Sequence, residues 1–177
     1  VDGCVRRGVS EKVAEKVFNE MSSFASYAFN KAHAAAYALV SYQTAYLKCH
    51  YPKEYFAALL TSILDGSGKV AGYIAECERL GIKVLPPSVN ESRANFAVSG
   101  DGIRFGLLAV KNLGKGLITE LVREREEGGS YSSFYSFCRR ISVKREFNSR
   151  SLESLIQCGA LDKLGVNRRQ MLQSMES

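Results

Sequence analysis

The chain has 177 residues, of which 46% are hydrophobic and 24% charged, and a formal net charge of +6. That balance suits one domain or two small ones with a buried core, and no apolar run reaches the roughly 18 residues of a membrane span. The excess positive charge allows nucleic acid or another acidic partner, and +4 of it lies in residues 85–177.

The chain opens Val-Asp-Gly-Cys, without Met or a charged-then-apolar leader, and we expect a segment of a longer polypeptide. Ser10 is placed to cap a helix in which Val13, Ala14, Val17, Phe18 and Met21 recur at helical spacing. A long helix follows from about Asn30 to His50. It stops where Pro52 disfavours helix at Tyr51, and Pro52 suits the first position of the next helix, Lys53 to Leu64. Asp65-Gly66-Ser67-Gly68 reads as a loop, and Lys69 to Leu80 as a fourth helix with Gly81 as its left-handed cap.

Character changes there. Ile82 to Leu85 is short and β-rich, and Pro86-Pro87 closes it, so we place a domain boundary between 1–85 and 86–177. Phe96–Val98 and Ile103–Phe105, joined by Ser99-Gly100-Asp101-Gly102, read as a hairpin. Short helices are expected over 106–111, 115–127, 132–140, 149–158, 160–164 and 167–175. The fold class is mainly α: a helical subdomain, a small β-hairpin connection, then further helices.

The block from Phe29 to Tyr37 sets a basic residue, an imidazole and a phenol among small alanines. On a helix, Asn30, His33, Tyr37 and Ser41 share one face, with Lys31 at its edge. Such a stripe can touch phosphates and a base. The same spacing also fits an ordinary amphipathic helix with core tyrosines and a capping Asn.

Phe105 to Arg125 reads as a short apolar helix, a tight turn and an amphipathic helix with Ile118, Leu121 and Val122 on one face. The turn Asn112-Leu113-Gly114, followed by Lys115 and Gly116, combines a residue tolerant of left-handed geometry, a hydrophobic plug and a glycine. It resembles the helix-hairpin-helix DNA-binding motif, with Asn112 where the first glycine is usual. Consecutive amides at such a turn and at a helix N-terminus favour phosphate, and Gly114 is expected to be required by the turn's backbone geometry. A second copy is suggested by Ser151 to Leu161, with Leu152, Leu155 and Ile156 on a helix ending at Gly159. Its tip is poorer in basic residues and reads as mainly structural. Arg139, Arg140, Lys144 and Arg145, with Arg150 beyond, lie between the copies as a cluster able to track a phosphate backbone without reading sequence.

Cys4, Cys49, Cys77, Cys138 and Cys158 lie far apart without a CxxC pair, and His33 and His50 complete no metal spacing. They read as reduced thiols in a cytoplasmic protein. Asp2, Asp65, Asp101 and Asp162 are scattered, so no carboxylate pair for two-metal chemistry is evident, and no catalytic residue is assigned.

Six stretches, among them FNKAHAAAYALVSYQTAYLK, HYPKEYFAALLTSILD, IKVLPPSVNES and FGLLAVKNLGKG, resemble the bacterial DNA polymerase III alpha subunits, the C-family replicative polymerases, and in that family's order. The resemblance implies a distal fingers subdomain over 1–85 and a tandem helix-hairpin-helix domain over 86–177. It implies that Asn30, Lys31, His33 and Tyr37 face the incoming deoxynucleoside triphosphate. Asn112, Leu113, Gly114, Lys115, Gly116, Arg139, Arg140, Lys144 and Arg145 would hold primer-template duplex DNA. It further implies other replisome subunits as partners, with Mg²⁺ and its carboxylates in a palm outside this chain and no cofactor within it. The competing reading is a free-standing helix-hairpin-helix module of a repair or recombination protein.

Overall fold

Helices form where apolar residues repeat at three and four positions, and they end where Gly, Pro or a capping side chain intervenes. The computed structural model describes residues 1–28, 31–64 and 67–175, in two compact units, Val1–Tyr46 and Leu47–Ser177. The described residues are mainly α, with one small sheet.

The first unit holds α1 (Asp2–Val5), α2 (Glu11–Ala28) and most of α3 (Lys31–His50). The Ser10 carbonyl accepts from the Val13 and Ala14 amides, both at 3.0 Å, which starts α2 at its expected place. Ala14 is buried, yet Val13, Val17, Phe18 and Met21 remain exposed, and Phe24 is 75% exposed. None of α3 is buried. Its alanines form helix on local propensity, without needing a core.

In the second unit α4 (Pro52–Ser62) carries Pro52 in its first turn, as expected. α5 (Ser67–Arg79) starts earlier than the sequence suggested, because Ser67 and Gly68 belong to its first turn; Asp65 and Gly66 lie outside the described residues. Past its end the Ile82 amide donates to Cys77 O (2.9 Å) and Gly81 to Glu78 O (2.9 Å), with Gly81 at φ +75°. This is the paired Schellman arrangement that a left-handed glycine permits.

The expected hairpin forms from β2 (Ala97–Ser99) and β3 (Gly102–Arg104), with Val98 opposite Ile103. β1 (Lys83–Leu85) adds in parallel on the other side of β3, so the sheet order is β1-β3-β2. A parallel partner leaves no local turn signal in a sequence, and this pairing was not anticipated. The boundary expected near Pro86 therefore falls inside the second unit. Phe56, Leu60, Cys77, Ile82, Phe96 and Ile103 form one core from both sides of that position. A second core gathers Leu107, Leu117, Ile118, Leu121, Phe137 and Leu155, and Phe105 packs against both. Its helices are α6 (Lys115–Gly128), α7 (Phe134–Ile141), α8 (Ser149–Gln157) and α9 (Arg168–Gln173).

Tyr131 ties this second core together. Its hydroxyl donates to Leu121 O at 2.9 Å, its ring meets Phe137 edge-on at 5.0 Å, and its amide donates to Asn90 Oδ1 at 2.8 Å. Burial pushes its phenol up to about 12. The unfolded phenol ionises near pH 10, so this contribution is complete below pH 10 and is lost as pH rises towards 12. We expect Tyr131→Phe to cost about 1 kcal/mol at neutral pH through the lost hydrogen bond, and to flatten the fall in stability above pH 10. Denaturant titrations at pH 8 to 11 check this, and equal alkaline slopes for both proteins would contradict it.

Candidate nucleic-acid interface

The first hairpin starts at Gly106, where the backbone passes close to residues 94–96: a Cβ there would stand 2.5 Å from the Asn95 carbonyl carbon. Leu107 and Leu108 amides donate to Arg93 O and Ala94 O, both at 3.0 Å, and fix this leg. The expected helix over 106–111 is only a 3₁₀ turn, Leu107–Ala109. Leu107, Val110 and Leu113 are buried, so Leu113 is the plug that the pattern foresaw. Burying one such side chain contributes about 1.5–3 kcal/mol.

Asn112 takes φ +61°, the single positive φ outside glycine among the described residues. Its Nδ2 donates to Ser154 Oγ on α8 at 3.0 Å, which holds the turn against the neighbouring helix. Gly114 differs from expectation. It sits at φ −75° and ψ 153°, extended backbone open to any residue, and a Cβ there would meet nothing within 4 Å. The left-handed step belongs to Asn112 alone.

Gly114 caps α6 with no side chain, and Lys115 and Gly116 after it are exposed. The first amides of α6 thus have no side-chain cap, while Lys115 places a charge beside them. Leu117, Ile118 and Leu121 bury the inner face of the helix.

A second hairpin exists, but not at the expected tip. Gly159 (φ +82°) ends α8, with the Ala160 amide donating to Leu155 O and Gly159 to Ile156 O, both at 3.0 Å. Residues 160–164 form turns rather than a helix. The matching tip is Gly165-Val166-Asn167: Gly165 has φ +80°, Val166 packs on the second core, and Asn167 caps α9 at φ −76° and ψ 156°, close to Gly114. The available signal was Asn167 followed three residues later by Gln170, a capping-box spacing. That box is formed, since Asn167 Oδ1 accepts from the Gln170 amide at 3.0 Å. Arg168 is held by Asp162 (Nε–Oδ1 2.7 Å) and by Gln157 O (3.1 Å). The second tip is thus closed by its own side chains.

The basic cluster divides. The Arg140 guanidinium bonds the Glu124 carboxylate (3.2 Å) and Gly129 O (2.9 Å), and lies 4.5 Å from the Tyr131 ring centroid. Lys144 bonds Glu124 at 3.1 Å and lies 3.6 Å from Glu120. Lys144 first, then Arg140, holds the Glu124 carboxyl below the usual carboxylate range. Arg139, Arg145 and Arg150 are exposed. The connector from Lys144 to Asn148 runs beside the first hairpin, since a Cβ on Gly116 would stand 3.3 Å from Glu146 Oε1.

On α3, Lys31, His33 and Tyr37 are exposed, and the His33 and Tyr37 rings lie 4.3 Å apart, tilted by 44°. Asn30 lies outside the described residues. No group of three or more His, Cys, Asp or Glu is placed to hold a metal among the described residues. None of their helices is long and apolar enough to cross a membrane.

With this geometry, the chain belongs to the helix-hairpin-helix motif family, whose match covers residues 81–171. It is also similar along nearly its whole length to DNA polymerase III alpha subunits. The DNA polymerase III subunit alpha of Thermus aquaticus is 49% identical over 176 residues, 99% of this chain and 14% of that protein. Those of Pasteurella multocida (44%) and Escherichia coli K12 (42%) align over 175 residues, 98% of this chain and 15% of each protein. The chain spans about one-seventh of the length of these relatives.

The two turn positions should differ in their tolerance of the same small side chain. Gly114→Ala should leave stability within about 0.5 kcal/mol, since φ and space are both permissive. Asn112→Ala should cost about 1–2 kcal/mol, because the new side chain must hold a left-handed backbone. Urea denaturation of both variants checks this; the reverse order would contradict it.

Proposed function

We propose that this chain is the distal fingers and tandem helix-hairpin-helix part of a bacterial replicative DNA polymerase, a cytoplasmic enzyme of template-directed DNA synthesis. The observation that carries the reading is identity of 42–49% through 98–99% of the chain, including α1 to α5, which lie outside the helix-hairpin-helix match. A free-standing repair or recombination module has no need of those helices.

In this reading the first hairpin holds the phosphate backbone of primer-template duplex. Its uncapped α6 amides, the helix dipole and Lys115 act on one phosphate, and Arg139 and Arg145 add contacts that read no sequence. Arg140 and Lys144 fix α7 and the following connector to α6 and support the interface from behind. Lys31, His33 and Tyr37 on α3 serve the incoming deoxynucleoside triphosphate, charge towards phosphate and rings towards the base. Other replisome subunits complete the assembly. In this reading Mg²⁺ and its carboxylates belong to a palm in the remaining length of such a polymerase. No catalytic step is assigned to these residues, and the chain alone should not extend a primer.

Duplex binding by the chain tests the grip. Binding should be weak, independent of sequence and steeply salt-dependent. Lys115→Glu should weaken it several-fold at low salt without loss of thermal stability. If Lys115→Glu binds as wild type while Arg139 and Arg145 variants lose binding, the contact is a plain basic patch.

The nucleotide contact is tested in a chimaera in which this chain replaces the matching segment of the Thermus aquaticus subunit. Primer extension should persist. Lys31→Ala and His33→Ala should then each raise the KM for nucleotide by roughly 10-fold or more, for charged hydrogen bonds of about 1.5–3 kcal/mol. Unchanged kinetics for both would return the stripe to an ordinary helix surface.

A further inference from the structure

α7 has a filled inner face and an open outer one. Phe137 and Ile141 are buried, and Phe134 and Cys138 pack against the second core. Ser133 caps the helix by accepting from the Ser136 amide at 3.1 Å, and Arg140 ties it to Glu124 of α6. The helix is therefore fixed without help from its other side. On that side Tyr135 and Arg139 stand one turn apart. Val143 follows at the same step just past the helix end, where Ser142 keeps helical backbone. Tyr135 is 75% exposed and Val143 78%, the highest values for large apolar side chains among the described residues of the second unit.

Charge says what this face fits. Residues 128–145 contain no Asp or Glu, but they do contain Arg139, Arg140, Lys144 and Arg145. Arg140 and Lys144 are taken by Glu124 and Glu120 of α6. Arg139 and Arg145 are exposed, and no ion pair with either is found among the described residues. A protein partner offers both signs of charge, whereas an acid-free surface suits a strand that is negative at every unit. The Tyr135 ring narrows the choice further. It has no ring contact or hydrogen bond among the described residues. A duplex keeps its bases stacked inside, but an unpaired base can stack on such a ring, with a guanidinium one turn away for its phosphate.

We propose that the outer face of α7 binds an unpaired DNA strand, with a base stacked on Tyr135 against Val143 and a phosphate on Arg139. The inference deepens the DNA-binding reading of the first hairpin and rests on it for its placement. α7 and its connector run back along α6 towards that hairpin: Arg140 reaches Glu124, Lys144 reaches Glu120, and the connector passes Gly116 at Glu146, the first acid after the track. A strand leaving a duplex held at the hairpin thus meets Arg145 and then α7.

The test is fluorescence anisotropy with the full chain at low salt. One labelled duplex is used blunt, with a 5′ or 3′ extension of about ten thymidines, and with an abasic extension of equal length. The thymidine extension should tighten binding about five-fold or more, the effect of one stacked base, and the abasic one clearly less. Tyr135→Ala should abolish the difference between thymidine and abasic extensions, and Tyr135→Phe should keep it. Arg139→Gln should weaken both extensions by the same factor, since it acts on phosphate. Both Tyr135 variants should melt, and bind blunt duplex, as wild type does.

Equal binding of thymidine and abasic extensions by the wild type, or an undiminished difference in Tyr135→Ala, overturns the proposal and leaves this face to a protein partner. Lys115→Glu separates it from the hairpin reading: blunt duplex should bind more weakly while the thymidine gain persists. If Lys115→Glu has no effect, the hairpin reading fails, and a free thymidine oligomer decides for α7. Weaker binding by Tyr135→Ala than by wild type then supports the stacking site, and equal binding overturns it.

Discussion

The segment from Pro86 to Arg93 has no helix or strand, yet the second unit is organised around it. Irregular backbone can be buried only if its polar groups find partners, and here most of the partners come from other parts of the second unit. Ser92 Oγ accepts from the Ser88 amide (2.9 Å) and donates to Phe105 O (2.8 Å). Arg125 Nη1 on α6 donates to Val89 O and Ser92 O, both at 2.8 Å. The Val89 amide reaches Ala160 O, Asn90 exchanges two hydrogen bonds with Tyr131, and Glu91 joins Arg104 of β3 to Lys163. One strap therefore sets the sheet, α6 and the turn before the second hairpin in fixed relation. The first hairpin inherits its position from it, because the Leu107 and Leu108 amides bond its last carbonyl, Arg93 O, and the next one, Ala94 O.

Charge in this protein is divided between holding and presenting. In sequence, Arg139, Arg140, Lys144 and Arg145 look like one basic patch. In space, Arg140 and Lys144 converge on Glu124 and clamp α7 and its connector to α6. Breaking a half-buried pair strands its partner, so these two cations act through structure. The presented charge is smaller: Lys115 at the tip, with Arg139 and Arg145 exposed.

How much was legible depended on how local each determinant is. Helix ends at Ser10, Pro52 and Gly81 are written in single residues, and the structure places them accordingly. Asn112 carries its left-handed tolerance in its own side chain, and Leu113 its burial. The parallel β1–β3 pair joins strands with the whole strap between them and has no local signature. The turn pattern asks for a glycine at 114 on backbone grounds, yet the special conformation is taken by Asn112, and Gly114 is extended backbone open to any residue. The second tip was placed at Gly159 because a glycine after a helix marks an end, whether or not a hairpin follows. Glu146 was invisible for another reason: its place beside Gly116 depends on how the connector packs, and sequence spacing does not encode that.

The two hairpins share a backbone and differ in chemistry, and the difference rests on one residue at the cap. At the first, Gly114 leaves the α6 amides to whatever anion lies nearby. At the second, Asn167 takes the same φ and ψ but turns its side chain onto the Gln170 amide, and Gln170 Oε1 reaches the Asn167 amide at 3.4 Å. Capping side chains and phosphates compete for the same donors. A side-chain cap therefore stabilises its helix and closes the anion site, whereas a bare glycine leaves α6 less stable and its end available. The repeat thus serves two ends from one geometry, a closed hairpin that anchors the domain and an open one that can hold a ligand.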